Sequence, residues 1–226
     1  MSTPDDLSRI ALNQAVELLG LRSWPADLAG DPSVSRLAVY FGGFRLGQRP
    51  EQGVRTERLL REFGAWITSG HNMPAALGWS SAIPKLAEES TVPEVDLFWD
   101  LWDEFGRLSP GSVPANSDDI PLLPDCSGSS LGSFVDQFSY ELRLRPGISL
   151  GHEVNTAGLL LFLLGFISAQ RPETRGPNFY FLQQFENFVS SKCGARPGEA
   201  QMDEIAQDRG IPELDLFWEL WDQFSE

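Results

Sequence analysis

The chain has 226 residues, 42% hydrophobic and 22% charged, an ordinary globular balance that needs neither disulfides nor a metal to fold. Seventeen Lys and Arg stand against 32 Asp and Glu, a formal net charge of −15. A field of that sign repels phosphate backbones and anionic membrane surfaces, which argues against nucleic-acid or lipid binding and favours cationic partners.

Two cysteines, Cys126 and Cys193, are too few and too far apart for a disulfide framework, a metal site or a redox pair. The first residues, Met1-Ser-Thr-Pro-Asp-Asp6, lack the positive and apolar regions of a secretory signal. The longest apolar run, Ala157 to Ile167, is interrupted by Gly158 and Gly165 and is shorter than the roughly 18 residues of a membrane span. It reads as a buried core helix, and the expected location is the cytoplasm.

In chain order, Leu7 to Leu21 carries apolar residues at Ile10, Ala11, Ala15, Leu18 and Leu19, the period of an amphipathic helix. Helices are predicted next over Val34–Leu46, Val54–Thr68 and Trp79–Glu89, the last shortened or kinked by Pro84. A fifth begins at Thr91, where Thr-x-x-Glu94 has the spacing of a capping box and Pro93 falls in the first turn. The segment from Ser109 to Ser130 is rich in Pro, Gly, Ser and Asp and reads as a linker, with Ile120, Leu122 and Leu123 available to lie against a folded half. Beyond it, helices are predicted over Ser130–Leu142, Val154–Ala169, Asn178–Ser191 and Glu199–Asp208, followed by a final helix for which Gly210 supplies the cap. Short strands have room around Leu142 to Leu150.

The two series match. Val92-Pro-Glu-Val-Asp-Leu-Phe-Trp-Asp-Leu-Trp-Asp-Glu-Phe105 recurs 119 residues on as Ile211-Pro-Glu-Leu-Asp-Leu-Phe-Trp-Glu-Leu-Trp-Asp-Gln-Phe224. Gly43-Phe44 with Gln48-Arg-Pro-Glu51 recurs 122 residues on as Gly165-Phe166 with Gln170-Arg-Pro-Glu173. The second register persists through Phe63, Trp66 and Ile67 against Phe185, Phe188 and Val189, so three residues are missing from the second copy between Val189 and Met202. Matched order with one short deletion reads as a duplication. The expected fold class is mainly α: two tandem pseudo-repeats of about five helices, with room for a few short strands. The first repeat spans 1–108, the linker 109–130 and the second repeat 131–226.

The recurring helix is strongly two-faced. Val95, Phe98, Trp99, Trp102 and Phe105 share one side, while Asp96, Asp100, Asp103 and Glu104 gather on the other. The second copy repeats the acidic stripe as Asp215, Glu219 and Asp222. Carboxylates four apart repel one another by a few tenths of a kcal/mol, roughly, and a helix needing only solubility would interleave lysines. The whole chain has two, Lys85 and Lys192. The plain reading is a solvated face; the functional one is an anionic docking surface for a basic partner. A hard cation could also sit between such carboxylates, but no calcium-type loop accompanies them. The recurring aromatics at helical spacing read as core.

Catalytic constellations are missing from the sequence. The two histidines, His71 and His152, have no metal-ligand neighbours at useful spacing and lie near helix ends. Gly78-Trp-Ser80-Ser-Ala82 has the outline of a nucleophile elbow without its closing glycine or preceding strand, and Ser80 and Ser81 fit a helix start. No phosphate loop, dinucleotide fingerprint, HExxH or CxxC occurs. The expectation is a protein without catalytic residues, metal or cofactor.

The second copy carries Arg145-Pro-Gly-Ile-Ser-Leu-Gly151, a helix ending in Gly165-Phe166, then Phe185-x-x-Phe188-Val189 and Leu216-Phe-Trp-x-Leu-Trp-x-x-Phe224. In that order these segments resemble a group of small bacterial proteins found beside polymorphic toxins and thought to act as their immunity proteins. The first copy keeps Gly43-Phe44, Phe63-x-x-Trp66, Trp79-x-x-x-Ile83 and Leu97-Phe98-x-x-Leu101, but has Arg22-Ser-Trp-Pro25 in place of the RPG segment. The second copy has Met202 where Ile83 aligns and no tryptophan in that helix. The resemblance runs through packing residues and carries over no active site. It implies a protein that binds and occludes a cognate toxin domain, and many such toxins are basic nucleases. Two other classes stay open: a structural or adaptor module that self-associates through its aromatics as a homo-oligomer, and an enzyme of unrecognised type.

Overall fold

A computed structural model describes residues 32–108, 125–151, 153–194 and 202–226. Among them are ten helices and no strand: α1 Val34–Gly47, α2 Pro50–Gly70, α3 Trp79–Ser90, α4 Glu94–Leu108, α5 Leu131–Leu144, α6 Pro146–Leu150, α7 Thr156–Ala169, α8 Pro172–Cys193, α9 Met202–Arg209 and α10 Glu213–Ser225. The mainly α class is as the periodicity predicts. The helix expected over Leu7 to Leu21, most of the linker, and His152 lie outside the described residues.

Local sequence explains most of the boundaries. Ser33, Ser130 and Asn155 accept N–H bonds from Arg36, Ser133 and Gly158 at 3.2, 3.1 and 2.7 Å, capping α1, α5 and α7. Pro50 and Pro172 open α2 and α8, where a missing N–H costs nothing. These two helices start earlier than the apolar period alone suggests, because their polar first turns contribute little to it. The room allowed for strands at Leu142–Leu150 is filled by helix instead: α5 runs through Leu144, and Pro146 starts the single turn of α6.

The capping box at Thr91 does not form. Thr91 ends α3 in the left-handed region, φ 60°, with its N–H on the Ala87 carbonyl at 2.9 Å. The Glu94 carboxylate accepts the Val34 N–H at 3.2 Å and so caps α1. A carboxylate at a helix N-terminus satisfies an orphan donor and meets the positive end of the dipole, which a distant helix can offer as well as its own. Gly210, expected to cap the final helix, instead follows α9 in the left-handed region, φ 66°, with its N–H on the Gln207 carbonyl at 3.1 Å, and Pro212 takes the cap position of α10.

The described chain divides into two compact units. Of the described residues, one takes 32–38, 48–108 and Asp125; the other takes Val39–Gly47 with 126–151, 153–194 and 202–226. In the first unit, Phe63 on α2 is the centre of an aromatic cluster. Its ring centroid lies 5.6 Å from Phe98, 5.0 Å from Trp102 and 5.4 Å from Phe105, the first two edge-on. Such edge-to-face pairs add about 0.5–1.5 kcal/mol each beyond area burial. Leu59, Ile67, Ala82, Ile83 and Val95 complete this core.

In the second unit Phe185 on α8 holds the same office, 5.2 Å from Phe217, 4.9 Å from Trp221 and 5.5 Å from Phe224. Ten of the fourteen residues of α7 are buried, which accounts for its nearly continuous apolar sequence. Phe134 of α5 stacks on Phe166 of α7 at 3.7 Å between centroids. No helix among the described residues is long and apolar enough to cross a membrane.

Candidate docking surface

The acidic stripes sit on α4 and α10, whose apolar faces anchor them. Val95, Phe98, Trp99, Leu101, Trp102 and Phe105 are buried on α4, which leaves Asp96, Asp100, Asp103 and Glu104 exposed. Leu216, Phe217, Trp218, Leu220 and Trp221 are buried on α10, leaving Asp215, Glu219 and Asp222 exposed. Each stripe is therefore placed in solvent by aromatic packing on the other side of the same helix.

Their electrostatic surroundings differ. On α10, Asp222 receives two bonds from the Arg143 guanidinium of α5, Nη1 to Oδ2 at 3.0 Å and Nη2 to Oδ1. That guanidinium also lies over the Trp218 ring, 4.6 Å from its centroid. The bonds from Arg143 hold the Asp222 carboxyl below the usual carboxylate range, against a smaller opposing effect of burial. Glu219 lies 3.5 Å from Arg209 of α9 and accepts a bond from Gln223 at 3.3 Å. On α4, no Lys or Arg among the described residues forms an ion pair with Asp96, Asp100 or Glu104. Asp103 contributes its backbone carbonyl to Arg107 Nε at 3.3 Å.

The seven carboxylates named from sequence thus fall into two groups, three on α10 and four on α4. Arg143 went unnoticed, although its pairing and its place over Trp218 make it the main cation of the α10 surface. Its only sequence signal is a lone Arg in the last turn of a helix, which is equally the mark of dipole compensation. Three large apolar side chains on the same stretch, Tyr140, Leu144 and Ile148, are 69%, 64% and 71% exposed.

A buried polar hub also escaped the sequence reading. In the second unit Asn178 accepts the Leu131 N–H at 2.8 Å and donates to Gln170 Oε1 at 2.6 Å and the Ser129 carbonyl at 3.1 Å. Gln170 Nε2 donates to that same carbonyl at 2.9 Å. The first unit has a smaller version, Thr56 Oγ1 donating to Gln48 Oε1 at 2.7 Å. The Thr56–Gln48 and Asn178–Gln170 bonds each join the second turn of a long helix to the residue two before its start, and they serve the fold.

The remaining sequence candidates sit as follows. His71 is exposed at the end of α2, its N–H on the Ile67 carbonyl at 3.0 Å. Ser80 and Ser81 lie in the first turn of α3 behind Gly78, which makes no side-chain cap. Cys126 is buried and Cys193 half-buried. Among the described residues no three His, Cys, Asp or Glu side chains converge as a metal ion would require. No family model, curated protein or solved structure matches this chain.

Proposed function

We propose that this chain is a non-catalytic binding protein of the bacterial cytoplasm, an immunity protein that docks on a cognate, cationic toxin domain and occludes it. The observation that carries the reading is the α4 stripe, where Asp96, Asp100 and Glu104 stand exposed at four-residue spacing with no ion pair among the described residues. Adjacent uncompensated carboxylates cost a helix stability, and a basic partner would remove that cost while gaining speed of encounter. Asp103 extends the same face. On α10, Asp222 and Glu219 are already engaged by Arg143 and Arg209, so α4 is the better docking face and α10 the better scaffold.

The test joins capture to kinetics. A tagged chain is used to retrieve partners from its source organism, eluted stepwise with salt, and the recovered protein is co-expressed with the chain to measure protection from toxicity. The expected partner is one basic protein with a toxin-like domain. Replacing Asp96, Asp100 and Glu104 together by Lys should slow association about tenfold or more and flatten its salt dependence. The same exchange at Asp215, Glu219 and Asp222 should change association much less. Equal effects from both triple variants would remove the distinction between the faces, and an unaltered salt dependence in both would remove the docking surface itself.

One specific feature favours a second reading, a self-associating adaptor. Tyr140, Leu144 and Ile148 are exposed on one stretch of the second unit, and clustered apolar exposure is a common mark of protein contact. Sedimentation of the purified chain separates the two: a mass that rises with concentration in the absence of any partner would favour the adaptor.

A further inference from the structure

We infer that α1 and α7 are two copies of one helix, crossing about a local two-fold axis at Gly43 and Gly165, so that a single chain supplies an interface of the kind two identical chains make. The inference rests on geometry within the second compact unit and is independent of the functional reading.

A Cβ added to Gly43 would overlap the Phe162 carbonyl oxygen and stand 3.1 Å from the Phe166 nitrogen. A Cβ added to Gly165 would overlap the Tyr40 carbonyl oxygen and stand 2.9 Å from the Phe44 nitrogen. Shifting Tyr40, Gly43 and Phe44 by the 122 residues of the sequence repeat lands on Phe162, Gly165 and Phe166. Each glycine therefore meets the same two backbone atoms of the other helix. If residue i of one copy touches j of the second, and j of the first touches i of the second, the interface is isologous, which only a two-fold relation produces. A crossing of unrelated helices has no reason to return the same pair. Both positions need glycine because the backbones approach too closely for any side chain.

One polar clasp breaks the symmetry. Tyr40 Oη and Ser168 Oγ are 2.7 Å apart and buried. The repeat partners of these residues are Phe162 and Leu46, which have no hydroxyl. The bond can form only between α1 and α7, so it favours this pairing over a meeting of two α7 helices from different molecules. Negative selection of that kind is how near-symmetric interfaces keep their partners apart.

A consequence follows for chain integrity: Val39–Gly47 is a core element of the unit built mostly from residues 126–226. The test is a protease site inserted into residues 109–124 of the full chain, followed by cleavage and gel filtration in native buffer. The two fragments should stay together at the intact mass and part only in denaturant. Gly43→Ala and Gly165→Ala should each weaken retention, by about tenfold or more and to a similar degree, because overpacking at a backbone contact is not easily relieved. Gly42→Ala, whose added Cβ would lie 3.7 Å from the Phe162 ring, should retain the fragments as the parent does. Tyr40→Phe should loosen them more gently. Free separation of the cut parent chain would overturn the inference, and so would a strong effect of one glycine variant with none from the other. If neither alanine variant folds, the cut parent and Tyr40→Phe still decide it.

Discussion

Arg143 and Asp222 make two hydrogen bonds between exposed groups, and solvent limits what such a pair is worth. An exposed pair contributes about 0–1 kcal/mol, toward the upper end when the geometry is bidentate. Because the folded pKa of Asp222 is lowered, its contribution is fully present above the ordinary aspartate range near ~3.9 and is lost as pH falls through the lower folded value. Carboxyl chemical shifts followed during acid titration should show Asp222 titrating below the ordinary aspartate range, and Arg143→Ala should raise its midpoint. At Thr91 the expected change is stabilising. A β-branched residue at φ 60° is strained, and Gly210 holds the equivalent position without that strain. Thr91→Gly should raise the denaturation free energy by about 1 kcal/mol, read from the urea midpoint at unchanged slope. The capping-box spacing at Thr91 to Glu94 suggested another role, since sequence spacing is blind to a second helix N-terminus offering the same unsatisfied N–H groups.

Within elements, the two aromatic clusters are the features to probe. Phe63→Ala and Phe185→Ala each remove the ring that several others pack against, and each should cost about 3–5 kcal/mol in chemical denaturation. Asn178→Ala should cost about 1–3 kcal/mol by leaving the Leu131 N–H without its acceptor. The aromatic residues were legible from sequence because Phe98, Trp99, Trp102 and Phe105 fall at helical spacing. Asn178 was not, because a lone polar residue in a helix looks the same whether it faces water or anchors a buried loop. The strand allowance at Leu142–Leu150 failed for a related reason: a short run with Pro and Gly has no period to read, and packing decides its conformation.

For the molecule as a whole, a formal charge of −15 sets the response to solution conditions. Solubility should pass through a minimum near the sequence pI of about 4.5, where net repulsion vanishes; turbidity across pH 3.5 to 7 checks it, roughly. The helical class, the positions of most helices and the two-faced character of α4 and α10 were determined by the sequence, since propensity, capping and apolar period act over a few residues. The recurrence of the two motifs was likewise plain in the chain itself. What tertiary structure decided is how the acidic stripes are partnered, with Arg143 and Arg209 brought to α10. It also decided that the Glu94 carboxylate caps α1, and that Val39–Gly47 packs its glycine against α7 inside the second unit. Each of these joins residues distant in the chain, and pairing at such range depends on which surfaces are left to be buried once the local elements exist.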